Sequence, residues 1–200
     1  MPFLSDTAPT DRPLRIGYVT DAQTNDEGTP FVETECGRVQ ALSPDVILIE
    51  ARTLTRERFD ANLRSIDALY VASGSTFALL ASLRTTGNDV VVVEHVEAGL
   101  PYIVIVCSAG SIITGPDIAP LSLMDDPADG PLLLNTKGLG LIGTTVVPHA
   151  DGMLPPYPAE LIERILRTYC ADYALQPLRD DQALPIDDNG ERLIPSALGA

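Results

Sequence analysis

Ser108-Ala109-Gly110 follows the apolar run Pro101-Tyr-Ile-Val-Ile-Val-Cys107. A strand that turns sharply into a helix at that point holds a serine hydroxyl above the sheet, as nucleophile elbows do. The full elbow pattern, G-x-S-x-G, is half present: Gly110 fits the second glycine, and Val106 stands at the first. Cys107 is the rival nucleophile, but Ile105 and Ala109 then occupy the positions that need small residues. The geometry favours Ser108, with Cys107 turned into the core as a small hydrophobe. A serine hydroxyl needs a base, and the chain has two histidines. His149 follows an apolar run in Val147-Pro-His149. His95 lies between acids on a predicted helix, where it reads as a solvated or salt-bridged surface residue. The base in turn needs a carboxylate to fix its tautomer. Asp117, Asp125, Asp126, Asp151, Asp180 and Asp181 are candidates, and Asp180, between the last helix and a closing strand, is best placed. An oxyanion needs two donors. The N–H of Ala109 supplies one, and that of Gly74 in Ala72-Ser-Gly-Ser-Thr76 is placed to supply the other. The same glycine-serine loop suits a phosphate, but it lacks the full G-x-G-x-x-G pattern and the Walker lysine.

The elements that must position these residues alternate. Strands are predicted at Leu14–Thr20, Asp45–Glu50, Asp67–Ala72, Pro101–Cys107 and Leu139–Val147. Helices are predicted at Pro30–Leu42, Leu54–Leu63, Ser75 or Thr76 to Arg84, and Ala159–Tyr169. Val90–Ala98 reads as a helix, although its four consecutive valines also suit a strand. Residues 1–13 are a polar lead-in with a possible edge strand at Pro2-Phe3-Leu4. Residues 111–137 read as a long surface loop, and two short strands near Gln182–Ile186 and Glu191–Pro195 close the chain. Apolar runs without alternation belong to strands buried on both faces. The expected fold is therefore α/β, a mostly parallel sheet sandwiched by helices, in one domain over residues 1–200. Ligand sites in such folds lie beyond the carboxyl ends of the strands, which is where Gly74, Ser108 and His149 fall.

Composition narrows the function further. The 200 residues carry a net charge of −15, which argues against nucleic acid and anionic membranes as partners. Three widely spaced cysteines without a metal-ligand spacing imply reduced thiols, a cytoplasmic setting and no metal. No segment resembles a signal peptide or a membrane helix. No cofactor motif is present, and a homodimer is plausible for a protein of this kind.

Four segments together resemble the S51 serine peptidases, the group of peptidase E (aspartyl dipeptidase) and cyanophycinase. Leu69-Tyr-Val-Ala-Ser-Gly-Ser-Thr-Phe-Ala-Leu-Leu80 is similar to the family's VGGGNTFxLL segment, and Tyr102 to Gly110 to its YxGxSAG elbow. Leu139-Gly-Leu with Val147-Pro-His149 is similar to LGL…NPH, and Leu178-Arg-Asp-Asp-Gln-Ala-Leu184 to the late acidic segment. The resemblance covers roughly residues 14 to 195. It implies a flavodoxin-like or glutamine-amidotransferase-like sandwich, with Ser108 as nucleophile, His149 as base, Asp180 as orienting acid, and Gly74 and Ala109 as oxyanion donors. The implied activity is cleavage of small peptides, classically after an N-terminal Asp, without metal. The chain departs from the family pattern at Ala72, Ser73, Ser75, Val106 and Val147. It also keeps only Arg164 of an arginine-containing stretch in the last helix. An amidase or amidotransferase built on Cys107, or a binding protein on the same scaffold, is the alternative reading.

Overall fold

The computed structural model describes residues 11–99, 103–187 and 190–196. Strand β1 (Arg15–Val19) lies between β2 (Asp45–Ile49) and β3 (Ala68–Val71), and β4 (Ile103–Val106) adds to β3. All pairs in this four-stranded sheet, ordered β2-β1-β3-β4, are parallel. The predicted α/β architecture is thus observed. The possible edge strand at Pro2-Phe3-Leu4 lies outside the described residues.

Side chains alternate between the two faces, as the period of two requires. Ile16, Tyr18, Ala68, Tyr70 and Ala72 pack on one face with Val39 of α1 (Pro30–Leu42). Val19, Ile49, Leu69 and Val71 pack on the other. There they meet α2 (Arg56–Arg64), α3 (Thr76–Thr86) and α4 (Asn88–Glu97) through Phe59, Leu63, Leu79, Leu80, Val91 and Val92. Each such large apolar side chain contributes about 1.5–3 kcal/mol by leaving water. The edge strand β2 is less covered, and its Leu48 is exposed.

Helix starts follow local chemistry. Ser75 caps α3 by accepting from the Ala78 N–H, as the sequence suggests, and Thr55 caps α2 in the same way. The valine-rich segment is a helix. Gly87 ends α3 in the left-handed region, and Asn88 anchors the next helix by donating to the carbonyls of Ala51 and Leu54.

Three expectations are corrected. Residues 111–137 are not simply a surface loop. They include most of α5 (Ala109–Ile113) and two 3₁₀ turns, and Ile112, Ile118 and Leu121 are fully buried in the main core. The predicted strand at 139–147 shrinks to β5 (Thr145–Val147), which pairs with β6 (Leu175–Pro177) rather than with the main sheet. The cause is a competing set of acceptors. The N–H groups of Leu139, Leu141 and Ile142 donate to Ile113 and Thr114 carbonyls at the end of α5, which have no partner within that helix. His95 meets an acid but is not on the surface: it is buried, with Nε2 2.7 Å from Asp60 Oδ1. Helix α6 (Ala159–Tyr169) buries Ile162 and Ile165. The closing strands are two-residue segments, β7 (Gln182–Ala183) to β10 (Ile194–Pro195), with β8 (Ile186–Asp187) and β9 (Gly190–Glu191) between them. Among the described residues no helix is long and apolar enough to cross a membrane.

Candidate active site

The turn from β4 into α5 is sharp. The Cys107 N–H still reaches the Val71 carbonyl at 3.4 Å, extending the ladder, and α5 begins two residues later. Between them Ser108 adopts φ 41° and ψ −108°, a conformation that non-glycine residues avoid and that clusters at functional sites. Gly110 makes the turn possible: a Cβ there would lie 3.0 Å from the Val71 carbonyl oxygen and from Val71 Cβ. The first small position of the elbow pattern is filled differently. Val106 pairs with Val71 in register and packs against the main core.

Ser108 occupies the N-cap position of α5, yet its hydroxyl caps nothing. Ser108 Oγ instead lies 3.2 Å from His149 Nε2. His149 is also at positive φ, 57°, just beyond β5. The parallel pairing of β5 with β6 continues past the strands, because the Leu178 N–H donates to Val147 and the Ala150 N–H to Leu178. That pairing carries Asp180 to the other side of the imidazole, with Oδ1 2.7 Å from Nδ1. A carboxylate accepts only, so Nδ1 carries the proton and Nε2 is free to accept from Ser108. The serine–histidine spacing is at the long end of hydrogen-bonding range, as such bonds often are before substrate arrives. His149 is mostly buried, whereas Asp180 is 46% exposed.

The other carboxylates have separate tasks. Asp151 accepts from the Asp180 N–H at 3.3 Å, and Asp181 pairs with Arg179. Asp117 and Asp126 accept from nearby backbone N–H groups of Ala119 and Ala128. Asp125 accepts from the Thr76 N–H at the start of α3, and burial pushes its carboxyl up. Cys107 faces away from the histidine. Its sulfur lies 3.1 Å from the Tyr70 hydroxyl, among the residues packed under α1, and burial pushes the thiol up. Among the described residues no three His, Cys, Asp or Glu side chains converge as metal ligands.

Gly74 has φ 137°, and a Cβ there would collide with the Ala22 carbonyl. The loop is therefore built for glycine. The Ser75 N–H donates to that same carbonyl at 2.8 Å.

Two features near the site were not singled out in the sequence. The Tyr157 ring stacks on the His149 imidazole, with centroids 5.2 Å apart and planes 14° apart. Its hydroxyl is 3.4 Å from Asp125 Oδ1, and burial with the Asp125 charge pushes its phenol up to about 12. The lone aromatic in Pro155-Pro-Tyr-Pro158, just before α6, was the available signal. Glu35, buried on α1, reaches the loop before Gly74. A single acid on a predicted helix carries no comparable signal.

The peptidase family S51 model matches residues 2–194. The chain is 30% identical over 173 residues to the uncharacterized peptidase Lin0382 of Listeria innocua serovar 6a, covering 86% of this chain and 80% of that protein. It is 35% identical to Peptidase E of Streptomyces coelicolor over 89 residues, which are 44% of this chain and 34% of that one. A crystal structure of a candidate peptidase E protein from Listeria monocytogenes EGD-e superposes with a TM-score of 0.82 at 25% identity, covering 98% of this chain and 93% of the other. On a match that spans nearly its whole length, the chain belongs to peptidase family S51.

Proposed function

We propose that this member of a peptidase family is a serine peptidase acting on small peptides, with Ser108 as nucleophile, His149 as general base and Asp180 as the orienting acid. One observation carries the reading. Ser108 stands at positive φ with its hydroxyl 3.2 Å from an imidazole whose far nitrogen is 2.7 Å from a carboxylate. Cys107 offers no equivalent, because its sulfur meets a tyrosine hydroxyl.

In this mechanism His149 Nε2 takes the Ser108 proton as Oγ attacks the scissile carbonyl carbon. The oxygen of the tetrahedral intermediate accepts from the Gly74 and Ala109 N–H groups. The Ala109 N–H opens α5 and has no partner within the helix. The imidazolium, stabilised by Asp180, then protonates the leaving amine. Water attacks the acyl-enzyme by the same route in reverse, with His149 again as base, and releases Ser108. Asp-X dipeptides are the first substrates to assay, supported by the family resemblance and by the similarity to a Peptidase E. The free cysteines are in keeping with a reducing, cytoplasmic setting, and a homodimer is the assembly to test first.

The experiment is labelling with a fluorophosphonate probe followed by peptide mapping. The expected adduct is on Ser108, absent in Ser108→Ala and reduced to background in His149→Ala. A folded protein that takes no label, beside a peptidase that does, overturns the assignment.

A further inference from the structure

Glu35 lies on α1, on the far side of the sheet from most helices, and is 6% exposed. No arginine or lysine side chain donates to it among the described contacts. Its carboxylate is instead ringed by neutral donors. Both oxygens lie 3.2 Å from the Ser73 N–H nitrogen, and Oε1 also accepts from Ser73 Oγ at 2.8 Å and from the Tyr70 hydroxyl at 3.1 Å. Oε2 accepts from Gln23 Nε2 at 2.5 Å, and Gln23 accepts in turn from the buried Tyr18 hydroxyl at 3.2 Å. Four donor groups thus converge on one buried carboxyl group, so this cluster is stiff.

Its neighbours give the cluster a role. Ser73 immediately precedes Gly74. On the other side of Gly74, the Ser75 N–H is held by the Ala22 carbonyl, and Ala22 is next to Gln23. The Gly74 peptide is thus clamped at both ends. Glu35 grips one end directly and steadies the other through Gln23. The Tyr70 hydroxyl extends the same cluster to Cys107 Sγ at 3.1 Å, the residue before Ser108. The carboxyl group is therefore connected to the residue before Gly74 directly and to the residue before Ser108 through Tyr70.

We propose that Glu35 is a positioning residue that sets the Gly74 N–H against Ser108 by holding the Ser73 backbone and hydroxyl. The inference rests on the serine-peptidase reading above. A donor aimed at a developing oxyanion contributes about 10²- to 10³-fold in rate, and a displacement near 1 Å can cost about 10²-fold.

The test measures fluorophosphonate labelling of Ser108 across pH, with thermal melting as a check on folding. Glu35→Met removes the acceptors at similar volume, and Glu35→Gln keeps one acceptor oxygen for Ser73. Glu35→Met is expected to label about 10²-fold more slowly, with the pH of half-maximal labelling unchanged, because His149 and Asp180 are untouched. Glu35→Gln is expected to recover most of the rate. Should Glu35→Met fail to fold, Ser73→Ala removes the hydroxyl contact alone and is expected to slow labelling several-fold at an unchanged pH midpoint. Wild-type rates in the folded variants overturn the inference and leave the peptidase reading intact. So does a shifted pH midpoint, or a Glu35→Gln loss as large as that of Glu35→Met. Absence of label on the wild-type protein instead overturns the peptidase reading, and this inference with it.

Discussion

Replacing Asp180 with Asn keeps the shape of the side chain and removes its charge. In the proposed mechanism the change is felt when His149 takes the Ser108 proton and becomes an imidazolium. Opposite unit charges 2.7 Å apart interact by about 1.5 kcal/mol in bulk water and about 6 kcal/mol at an effective dielectric of 20. Asp180 is 46% exposed, so water screens it and the lower part of that range applies. A loss of about 2–3 kcal/mol slows the step about 30- to 150-fold. That is smaller than the roughly 10⁴-fold penalty at a fully buried triad aspartate. The assay is the second-order rate of fluorophosphonate labelling of Ser108, followed by turnover once a peptide substrate is found. A variant within twofold of wild type would falsify the role given to Asp180. Asp151, whose carboxylate already touches the Asp180 N–H, would then be the next acid to replace.

Gly74→Ala is expected to destabilise the fold and to slow labelling, since the new Cβ meets the Ala22 carbonyl at a backbone conformation alanine avoids; a variant that melts and labels like wild type contradicts the loop geometry. Iodoacetamide at neutral pH is expected to alkylate exposed Cys170 first and Cys107 last, because burial pushes the Cys107 thiol up; rapid modification of Cys107 with loss of activity would revive the cysteine reading. Burial holds the Asp21 carboxyl above its ordinary 3.8, despite backbone donors from Arg52 and Ala51. The folded chain therefore binds that proton more readily than the unfolded one, and this group lowers stability as pH rises through the raised range. The melting temperature of Asp21→Asn minus that of wild type should accordingly increase from about pH 4 towards neutrality, and a flat or opposite trend sinks the argument.

Much of the site was legible because its signals are local. A strand-to-helix turn at Ser108-Ala-Gly110, a histidine after an apolar run and a serine N-cap each depend on a few adjacent residues. The continuous apolar strands likewise announced a parallel sheet, since both faces of β1 and β3 had to be buried. Chain order also carried Asp180, as the acid lying just past the last long helix. What the sequence could not decide depended on competition between distant groups. Residues 139–142 have the composition of a strand, but their donors go to the carbonyls ending α5. His95 has the neighbours of a surface residue, but the packing of α2 against α4 buries it on Asp60. Glu35 reaches the loop before Gly74 through a contact spanning 38 residues, and the Tyr157 hydroxyl meets Asp125 across 32, distances no local pattern encodes. Hydrophobic periodicity specifies which face of an element turns inward. Only the closed tertiary structure determines which buried polar group finds which partner, because each such group must be satisfied by whatever the packed chain brings within about 3 Å.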